Sequence, residues 1–271
     1  MSDIVGRCSR LWSKMKDVAQ TLPPLFPEPP APRRDAPDLG HEGGVDEDVQ
    51  TGTSEAQEAG QAADEAGGDA DTTETTGSCP LCKVAIVVGH NSRAQGASSP
   101  HVGESEFPYN SDIAERTVAK IAELGGGKIT AQVFFRTAGG GYTTEMRRCY
   151  EPVTAFLEGV PSNKKIALEL HYNSVDSPSA SYTLTIYKGD RAFATAITAA
   201  MSEIYGGTRQ LVKSHTENAR GKATFTYGPS NTYLMEPFFG SHERTGKIAG
   251  TEAGRDALAQ VYAQALVDWV G

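Results

Sequence analysis

The sequence lacks the features by which several large classes of protein are recognised. Its 271 residues include only four cysteines (Cys8, Cys79, Cys82 and Cys149), too few for a disulfide-bonded framework in a chain of this length. No apolar run approaches the roughly 18 residues that a membrane-spanning helix needs. Residues 1–16 carry a charge every few positions and contain no apolar core or small-residue cleavage site, so we expect no secretory signal peptide.

Positive charge is also scarce. The chain has 34 acidic and 25 basic residues and a formal net charge of -9 at pH 7. The excess lies in residues 1–82, which hold sixteen acidic and six basic residues, whereas residues 83–271 hold 18 acidic and 19 basic residues. The second part of the chain is therefore nearly neutral. Because a nucleic-acid partner needs a strongly basic face, we expect none.

Composition divides the chain into three segments. Residues 1–22 repeat apolar side chains at helical spacing, which predicts a short amphipathic helix. This helix either docks on an unknown partner or membrane surface, or has no stability of its own. Residues 23–82 are first rich in proline and then acidic, with no Lys, Arg or aromatic residue between 35 and 78. We predict that they form a disordered linker before a folded domain at 83–271.

A Cys-x-x-Cys motif, Cys79 to Cys82, stands at the end of this linker. A redox or zinc-binding role is open, but a structural zinc site requires a second pair of ligands nearby. Cys8 and Cys149 are too distant in sequence to indicate such a pair. We therefore favour no function for the motif.

Apolar strands alternate with helical segments throughout residues 83–271. Strands are predicted at residues 84–88, 129–135, 165–170, 182–187 and 232–235, and helices at 145–157, 191–205 and 251–269. A further helix is expected to begin at Asn110 or Ser111 and end at Leu124, and a further strand at 223–227 within otherwise irregular residues 206–231. The alternation predicts an α/β class: a single domain with a mostly parallel twisted sheet and helices on both faces.

Three of the predicted strands are followed by side chains that can carry chemistry. His90 follows residues 84–88, His171 follows 165–170, and Glu236 follows 232–235. Because open α/β sheets bind their ligands at the carboxyl ends of the strands, we expect these residues at one edge.

Glu106 is expected at the same edge, just before the next helix, with Glu104 as a competing candidate. His101 and His215 also compete, but both lie in polar loops, so we interpret them as surface residues.

His90, Glu106 and His171 form a ligand set that zinc accepts, since catalytic zinc sites use three protein ligands and leave the fourth position to water. The alternative is that each histidine is an exposed loop residue. Glu236 lies in an apolar context, YLMEPFF, and burial raises the pKa of a carboxyl group toward the range of a general acid or base. The alternative is a structural ion pair with Arg136, Arg147 or Arg148.

Five motifs, in order along residues 83–271, resemble those of the zinc-dependent N-acetylmuramoyl-L-alanine amidases of the type-3 class, which occur in bacterial autolysins and phage endolysins. They are the strand ending in Gly89 and His90, Glu106 followed by Asn110, Arg136 after the second strand, His171 with Asn173 and Ser174, and Glu236 with Phe239. Two details depart from the family: GHNS replaces GHGG after the first strand, and His242 stands where an asparagine is usual.

The resemblance implies that His90, Glu106 and His171 bind one Zn²⁺ ion and that Glu236 is the catalytic acid and base. Asn173 is expected to contact substrate. The implied reaction is hydrolysis of the amide bond between N-acetylmuramic acid and L-alanine in peptidoglycan. We therefore expect the chain to be a phage lysis enzyme that is made in the host cytoplasm and acts at the cell wall.

Three alternatives stay open at this point. The first is a zinc endopeptidase or carboxypeptidase that acts on the stem peptide. The second is a non-catalytic wall-binding module with the same fold. The third is an interaction protein that acts through residues 1–22. Zinc carboxypeptidases of this kind usually place histidine and glutamate three residues apart, whereas Glu106 follows His90 by sixteen positions. This spacing disfavours the carboxypeptidase.

Overall fold

The computed structural model describes residues 82–217 and 221–270. The helix predicted at residues 1–22 and all of the linker predicted at 23–82 except Cys82 lie outside the described residues, as does Cys79. Within the described ranges, no helix combines the length and the apolar character needed to cross a membrane.

The described residues form strands and helices in alternation. The strands are β1 (Cys82–Val88), β2 (Ser98–Ser99), β3 (Glu104–Ser105), β4 (Ile129–Phe135), β5 (Lys165–Leu170), β6 (Tyr182–Lys188), β7 (Arg209–Ser214) and β8 (Thr232–Glu236). The helices are α1 (Glu106–Leu124), α2 (Tyr142–Leu157), α3 (Arg191–Ile204), α4 (Lys222–Tyr227), α5 (Glu243–Ala249) and α6 (Glu252–Val270). A 3₁₀ turn, Ser162–Lys164, precedes β5.

Six strands make one sheet in the order β4-β1-β5-β8-β6-β7. All neighbours are parallel except β8 and β6, which are antiparallel, so β6 and β7 run against the other four strands. The predicted mostly parallel α/β sheet is therefore confirmed. The two short strands β2 and β3 form a separate antiparallel pair beside the sheet.

Helices cover both faces of the sheet because the central strands are apolar on both sides. In β1, Val84, Ile86 and Val88 pack into a core shared with α1, α3 and α6. The alternate residues Ala85 and Val87 pack on the opposite face, against α2. Successive side chains of a strand point to opposite faces, so this continuous apolar run is what a doubly covered strand requires.

Several predicted boundaries were wrong. Helix α1 begins at Glu106 and not at Asn110 or Ser111. Pro108 permits this earlier start because it falls in the first helical turn, where a missing backbone N–H is tolerated. Residues 223–227 belong to helix α4 and not to a strand; α4 packs Phe225 against β6 and β8. Residues 209–214, predicted as irregular, form the edge strand β7, whose polar sequence RQLVKS suits a strand paired on one side only.

Candidate metal centre

Backbone pairing brings the ends of three strands side by side. Val88 of β1 lies opposite Leu170 of β5, and Gly89 donates a hydrogen bond to the Leu170 carbonyl at 3.0 Å. Leu170 in turn lies opposite Met235 of β8, whose carbonyl accepts from the backbone N–H of His171 at 3.0 Å. His90 and His171, which follow β1 and β5, therefore lie at the same edge of the sheet as Glu236, the last residue of β8, as predicted.

Glu106 reaches this edge as the first residue of α1. The backbone N–H of Ala97 donates to Glu106 Oε1 at 3.0 Å, and the Glu106 N–H donates to the Ala97 carbonyl at the same distance. The hydroxyl group of Tyr172 also holds this loop: Oη lies 2.8 and 2.9 Å from the carbonyl oxygens of Ala97 and Glu104, between which its single proton is shared. These bonds leave Glu106 Oε2 directed at the two histidines.

The three predicted metal ligands converge on one point. Glu106 Oε2 lies 3.2 Å from His90 Nε2 and 3.2 Å from His171 Nδ1, and one ligand atom from each residue lies within 4.8 Å of the others. In a tetrahedral zinc site with bonds of about 2.0–2.1 Å, neighbouring ligand atoms stand about 3.3 Å apart. His90, Glu106 and His171, hereafter the metal cluster, therefore fit a metal ion of this kind.

Local backbone geometry keeps the rings in place. His90 has φ of 64°, the one positive value outside glycine among the described residues, and such strained positions concentrate at functional sites. A Cβ on Gly96 would lie 2.6 Å from His90 Cδ2 and 2.9 Å from Glu106 Cβ. A Cβ on Gly89 would overlap the His171 ring and lie 2.5 Å from the Leu170 carbonyl oxygen. Only glycine at these two positions admits the imidazoles.

The metal cluster favours positive charge at its centre. Burial alone would raise the pKa of the Glu106 carboxyl, but hydrogen bonds and charge interactions with His171 and His90 outweigh burial and lower the pKa to about 2. Burial would lower the pKa of His171, but its contacts with Glu106 and Glu169 raise it to about 10. A proton or a metal cation therefore stabilises the convergence of these groups.

Glu236 ends β8 and is oriented by Asn173. The Asn173 side chain donates from Nδ2 to Glu236 Oε2 at 2.8 Å, and its backbone bridges to Phe239 beyond β8. Asn173 is only 5% exposed. Two of the three arginines considered as partners of Glu236 pair with other carboxylates: Arg136 lies 3.5 Å from Glu145, and Arg147 lies 3.7 Å from Glu151.

The competing candidates have other contacts. Glu104 pairs with Arg255, so it is not the carboxylate of the metal cluster. His242 Nδ1 accepts a hydrogen bond from the Thr245 N–H and thereby caps the start of α5. His101 and His215 are both half-buried, and His215 packs against Phe225. None of these residues belongs to the group that converges on Glu106.

Sequence reasoning missed Glu169, the fifth residue of β5. Its carboxyl group is almost fully buried, 3.0 Å from His171 Nε2, and it accepts a hydrogen bond from Tyr150 Oη at 2.6 Å. A signal was present: an acidic residue in the apolar run IALEL, two positions before His171, lies on the same side of the strand.

The loop after β1 is held by a second group that sequence reasoning missed. Asn91 Oδ1 accepts from the backbone N–H groups of Arg93 and Ala94 at 2.9 Å, and Asn91 Nδ2 donates to Glu145 Oε2 at 2.9 Å. Glu145 also lies beside the buried Arg136 of the third motif. The substitution of GHNS for the usual GHGG therefore gives this chain a side chain that ties the His90 loop to α2.

Similar proteins were found through structure and not through sequence. No protein-family model matches the chain, and no curated protein sequence matches it either. The catalytic domain of the N-acetylmuramoyl-L-alanine amidase CwlV from Paenibacillus polymyxa superposes with a TM-score of 0.54 at 17% identity, covering 68% of this chain and 96% of that one.

Two further structures agree with this match. An N-acetylmuramoyl-L-alanine amidase from Clostridium difficile gives a TM-score of 0.54 at 15% identity, over 69% of this chain and 95% of its own. The catalytic domain of an endolysin targeting Clostridia difficile gives 0.53 at 16% identity, over 68% and 96%. The resemblance seen in the motifs is thus confirmed at the level of fold: the described domain has the fold of N-acetylmuramoyl-L-alanine amidase catalytic domains.

Proposed function

We propose that the chain is a zinc-dependent N-acetylmuramoyl-L-alanine amidase. It hydrolyses the amide bond between the lactyl carbonyl of N-acetylmuramic acid and the amine of L-alanine in peptidoglycan. The observation that carries the proposal is the convergence of His90, Glu106 and His171 at the sheet edge where Glu236 ends β8. The fold shared with two amidases and an endolysin supports this reaction class.

The metal cluster supplies three ligand atoms, His90 Nε2, His171 Nδ1 and Glu106 Oε2. A bound Zn²⁺ ion would polarise the scissile carbonyl and lower the pKa of water in the fourth position toward neutrality. The buried Glu106 helps to hold the cation because its carboxyl group stays ionised well below neutral pH.

Glu236 is the general base and then the general acid of the proposed reaction. Its carboxylate takes a proton from the attacking water and gives it to the leaving amine of L-alanine, so that the amine departs as a neutral group. The hydrogen bond from Asn173 to Glu236 Oε2 orients the carboxylate for both transfers. The direct substrate contact expected for Asn173 stays a prediction.

The proposal also assigns the segments of the chain, its partner and its place of action. Residues 83–271 are the catalytic domain, preceded by the linker predicted at 23–82 and by residues 1–22, for which a short amphipathic helix is predicted. Peptidoglycan is the partner, no nucleic acid is bound, and the enzyme acts at the cell wall. As a phage lysis enzyme it would be made in the host cytoplasm.

End-group analysis tests the reaction directly. The full chain, either zinc-loaded or treated with a chelator, is incubated with purified peptidoglycan, and new amino termini are identified. The proposal predicts new N-terminal alanine that disappears on chelation. A different new terminus would indicate the endopeptidase, and released free amino acid the carboxypeptidase. Bound zinc without any product would indicate the wall-binding module.

The remaining alternative, an interaction protein acting through residues 1–22, is tested by deletion. A chain without residues 1–78 is expected to cut purified wall as the full chain does. Loss of cleavage, with zinc still bound, would instead make the N-terminal region essential.

A further inference from the structure

A buried carboxylate stands behind the metal cluster. Glu169 lies within β5, in the middle of the sheet, and only 2% of its surface is exposed. Removing a charge from water costs several kcal/mol unless partners compensate it, so a buried carboxylate needs a specific reason. Both oxygens of Glu169 have partners, and one of these partners is a residue of the metal cluster.

Each carboxylate oxygen of Glu169 contacts a different residue. Oε2 accepts a hydrogen bond from the Tyr150 hydroxyl group at 2.6 Å. Oε1 lies 3.0 Å from His171 Nε2. The other ring nitrogen, His171 Nδ1, lies 3.2 Å from Glu106 Oε2 on the side of His90. The imidazole of His171 is therefore held between two carboxylates, one at each nitrogen.

This arrangement determines which nitrogen faces a metal ion. A neutral imidazole carries one N–H group, and a carboxylate without a proton only accepts hydrogen bonds. With Glu169 as the acceptor, the proton of His171 stays on Nε2 and the lone pair of Nδ1 points at Glu106 and His90. Histidines that bind metals commonly donate their second N–H to a carboxylate in this manner, which fixes the ring and strengthens the ligand.

We propose that Glu169 is a positioning residue, which fixes the proton of His171 on Nε2 so that Nδ1 binds the metal ion. The inference rests on the metal site of the proposed function. Glu169 does not touch the ion or the substrate. It acts through the orientation and basicity of His171, which its Oε1 atom contacts.

Two substitutions at Glu169 form a graded series. Glu169→Gln keeps the shape and one acceptor oxygen but removes the charge, and we expect it to weaken zinc binding about tenfold. Glu169→Met keeps the approximate length and removes the acceptor, and we expect a loss of about a hundredfold, at the upper end of the range seen for such partners. Affinity is measured on the full-length apoprotein by competition with a chromophoric chelator at one fixed pH.

Tyr150→Phe is the matched control. It removes a hydrogen bond to the same carboxylate and changes an equally buried side chain, but it leaves the contact with His171. We expect zinc affinity to stay within about threefold of the wild type. Thermal unfolding of each apoprotein separates an effect on affinity from an effect on folding. If Tyr150→Phe weakens zinc binding as much as Glu169→Met, the role of Glu169 is structural and the proposal fails.

A spectroscopic measurement tests the assignment of the nitrogens without any variant. In zinc-loaded protein with ¹⁵N-labelled histidine, the proton of His171 is expected on Nε2, with Nδ1 showing the chemical shift of a metal-bound nitrogen. Zinc bound through Nε2 would overturn the proposal, as would wild-type affinity in Glu169→Met.

The outcomes also separate this inference from the proposed function. A wild-type protein that binds zinc but cuts no wall contradicts the amidase alone, and the affinity series still decides the role of Glu169. Wild-type affinity in Glu169→Met together with wall cleavage contradicts the role of Glu169 alone. A wild-type protein that binds no zinc contradicts both.

Discussion

Helix α1 takes part in two clusters of charged side chains that are built in opposite ways. Its first residue, Glu106, belongs to the metal cluster, with His90 and His171. Farther along, α1 meets α6 in a network of arginines and carboxylates that we call the helix cluster. The helix cluster consists of Glu104, Asp112, Arg116, Glu252, Arg255 and Asp256.

The helix cluster satisfies itself. Arg116 donates to Asp112, Glu252 and Asp256 at 2.7–2.8 Å, and Arg255 donates to Asp112 at 2.9 Å as well as to Glu104. Guanidinium groups present several N–H donors in a fixed fork, so each carboxylate finds a donor within the protein. Most of these carboxylates are at least one-third exposed, and water supplies what the arginines do not.

The metal cluster contains no guanidinium group, and a backbone donor to its Glu106 Oε2 atom, the Tyr172 N–H, lies 3.3 Å away. With neutral imidazoles, His90 Nε2, His171 Nδ1 and Glu106 Oε2 are three electron-pair donors aimed at the same space and largely removed from water. When the ring lone pairs face Glu106 Oε2, as proposed for His171, a proton or a cation between these atoms offsets their mutual repulsion. The comparison therefore separates a structural ion-pair network from a site whose ligand atoms are arranged so that they could hold a cation. We therefore expect mutations at the metal cluster to change zinc affinity and mutations in the helix cluster to change the free energy of unfolding.

The largest effect is expected at Glu236, the proposed catalytic acid and base, which lies outside the metal cluster. Glu236→Ala should leave zinc bound and lower wall cleavage by about two orders of magnitude or more, because the proton transfers lose their carboxylate. Zinc content and the rate of alanine release are measured on the same preparation. Glu243→Ala, which removes an exposed carboxylate from α5, is the control and should change neither. Loss of zinc from Glu236→Ala would make Glu236 a ligand.

A pair of glycine substitutions tests how tightly the metal cluster is packed. Gly96 and Gly103 both have positive φ, 77° and 90°, but a Cβ on Gly96 would press on His90, whereas a Cβ on Gly103 would meet nothing within 4 Å. Gly96→Ala is expected to weaken zinc binding about tenfold, on the scale of changes to residues that support a metal ligand.

Gly103→Ala carries the same backbone penalty, of the order of 1 kcal/mol, without the clash. It should lower the melting temperature and leave zinc affinity within about twofold of the wild type. Equal loss of affinity in both variants would mean that backbone strain, and not contact with the His90 ring, controls the site.

A smaller effect is expected at Arg255 in the helix cluster. Its side chain is 12% exposed, lies over the ring of Tyr109, and pairs with Glu104 and Asp112. Arg255→Met keeps much of the apolar contact and removes both ion pairs, so we expect a loss of about 1–2 kcal/mol, between exposed and buried pairs. Chemical denaturation measures the loss. Zinc affinity should not change, and a fall of more than about threefold would show that the two clusters are coupled through α1.

The same contrast explains how far the sequence predicts this structure. The strand-end residues of the site are visible in sequence because largely apolar runs end at them, and parallel strands place His90, His171 and Glu236 at a common edge. Glu169 was missed because its burial is compensated by side-chain contacts with His171 and with Tyr150 in α2, and strand periodicity does not report such contacts. Its position two residues before His171 was the available clue.

The helix cluster was missed for a similar reason. Asp112 and Arg116 are four residues apart and predict a local pair, but Arg255 and Glu252 come from α6, more than a hundred positions away. Local patterning also failed where β-branched and aromatic residues occur in a helix. Residues 223–227 read as a strand, and tertiary packing of Phe225 overrides that propensity.

The smallest effect is expected at Arg116, and pH separates it from the others. Burial would raise the pKa of the Asp112 carboxyl, but hydrogen bonds from Arg116 and Arg255 outweigh burial and hold the pKa below its ordinary value of 3.8. A carboxyl group whose folded-state pKa is lowered adds stability above the unfolded-state pKa, and this stability is lost as the pH falls through the folded-state pKa. Arg116→Ala should therefore cost up to about 1 kcal/mol at pH 7, since its partners are largely exposed.

The difference between Arg116→Ala and the wild type should begin to shrink near pH 4 and disappear as the pH falls through the lowered pKa of Asp112, because the carboxyl group is then protonated in both proteins. It should also shrink in about 1 M salt, where charges are screened within about 3 Å. Denaturant titrations at pH 7 and pH 3, with and without salt, measure both trends. A cost that is independent of pH and salt would assign the contribution of Arg116 to packing. In that case the helix cluster, like the metal cluster, would depend on geometry more than on exposed charge.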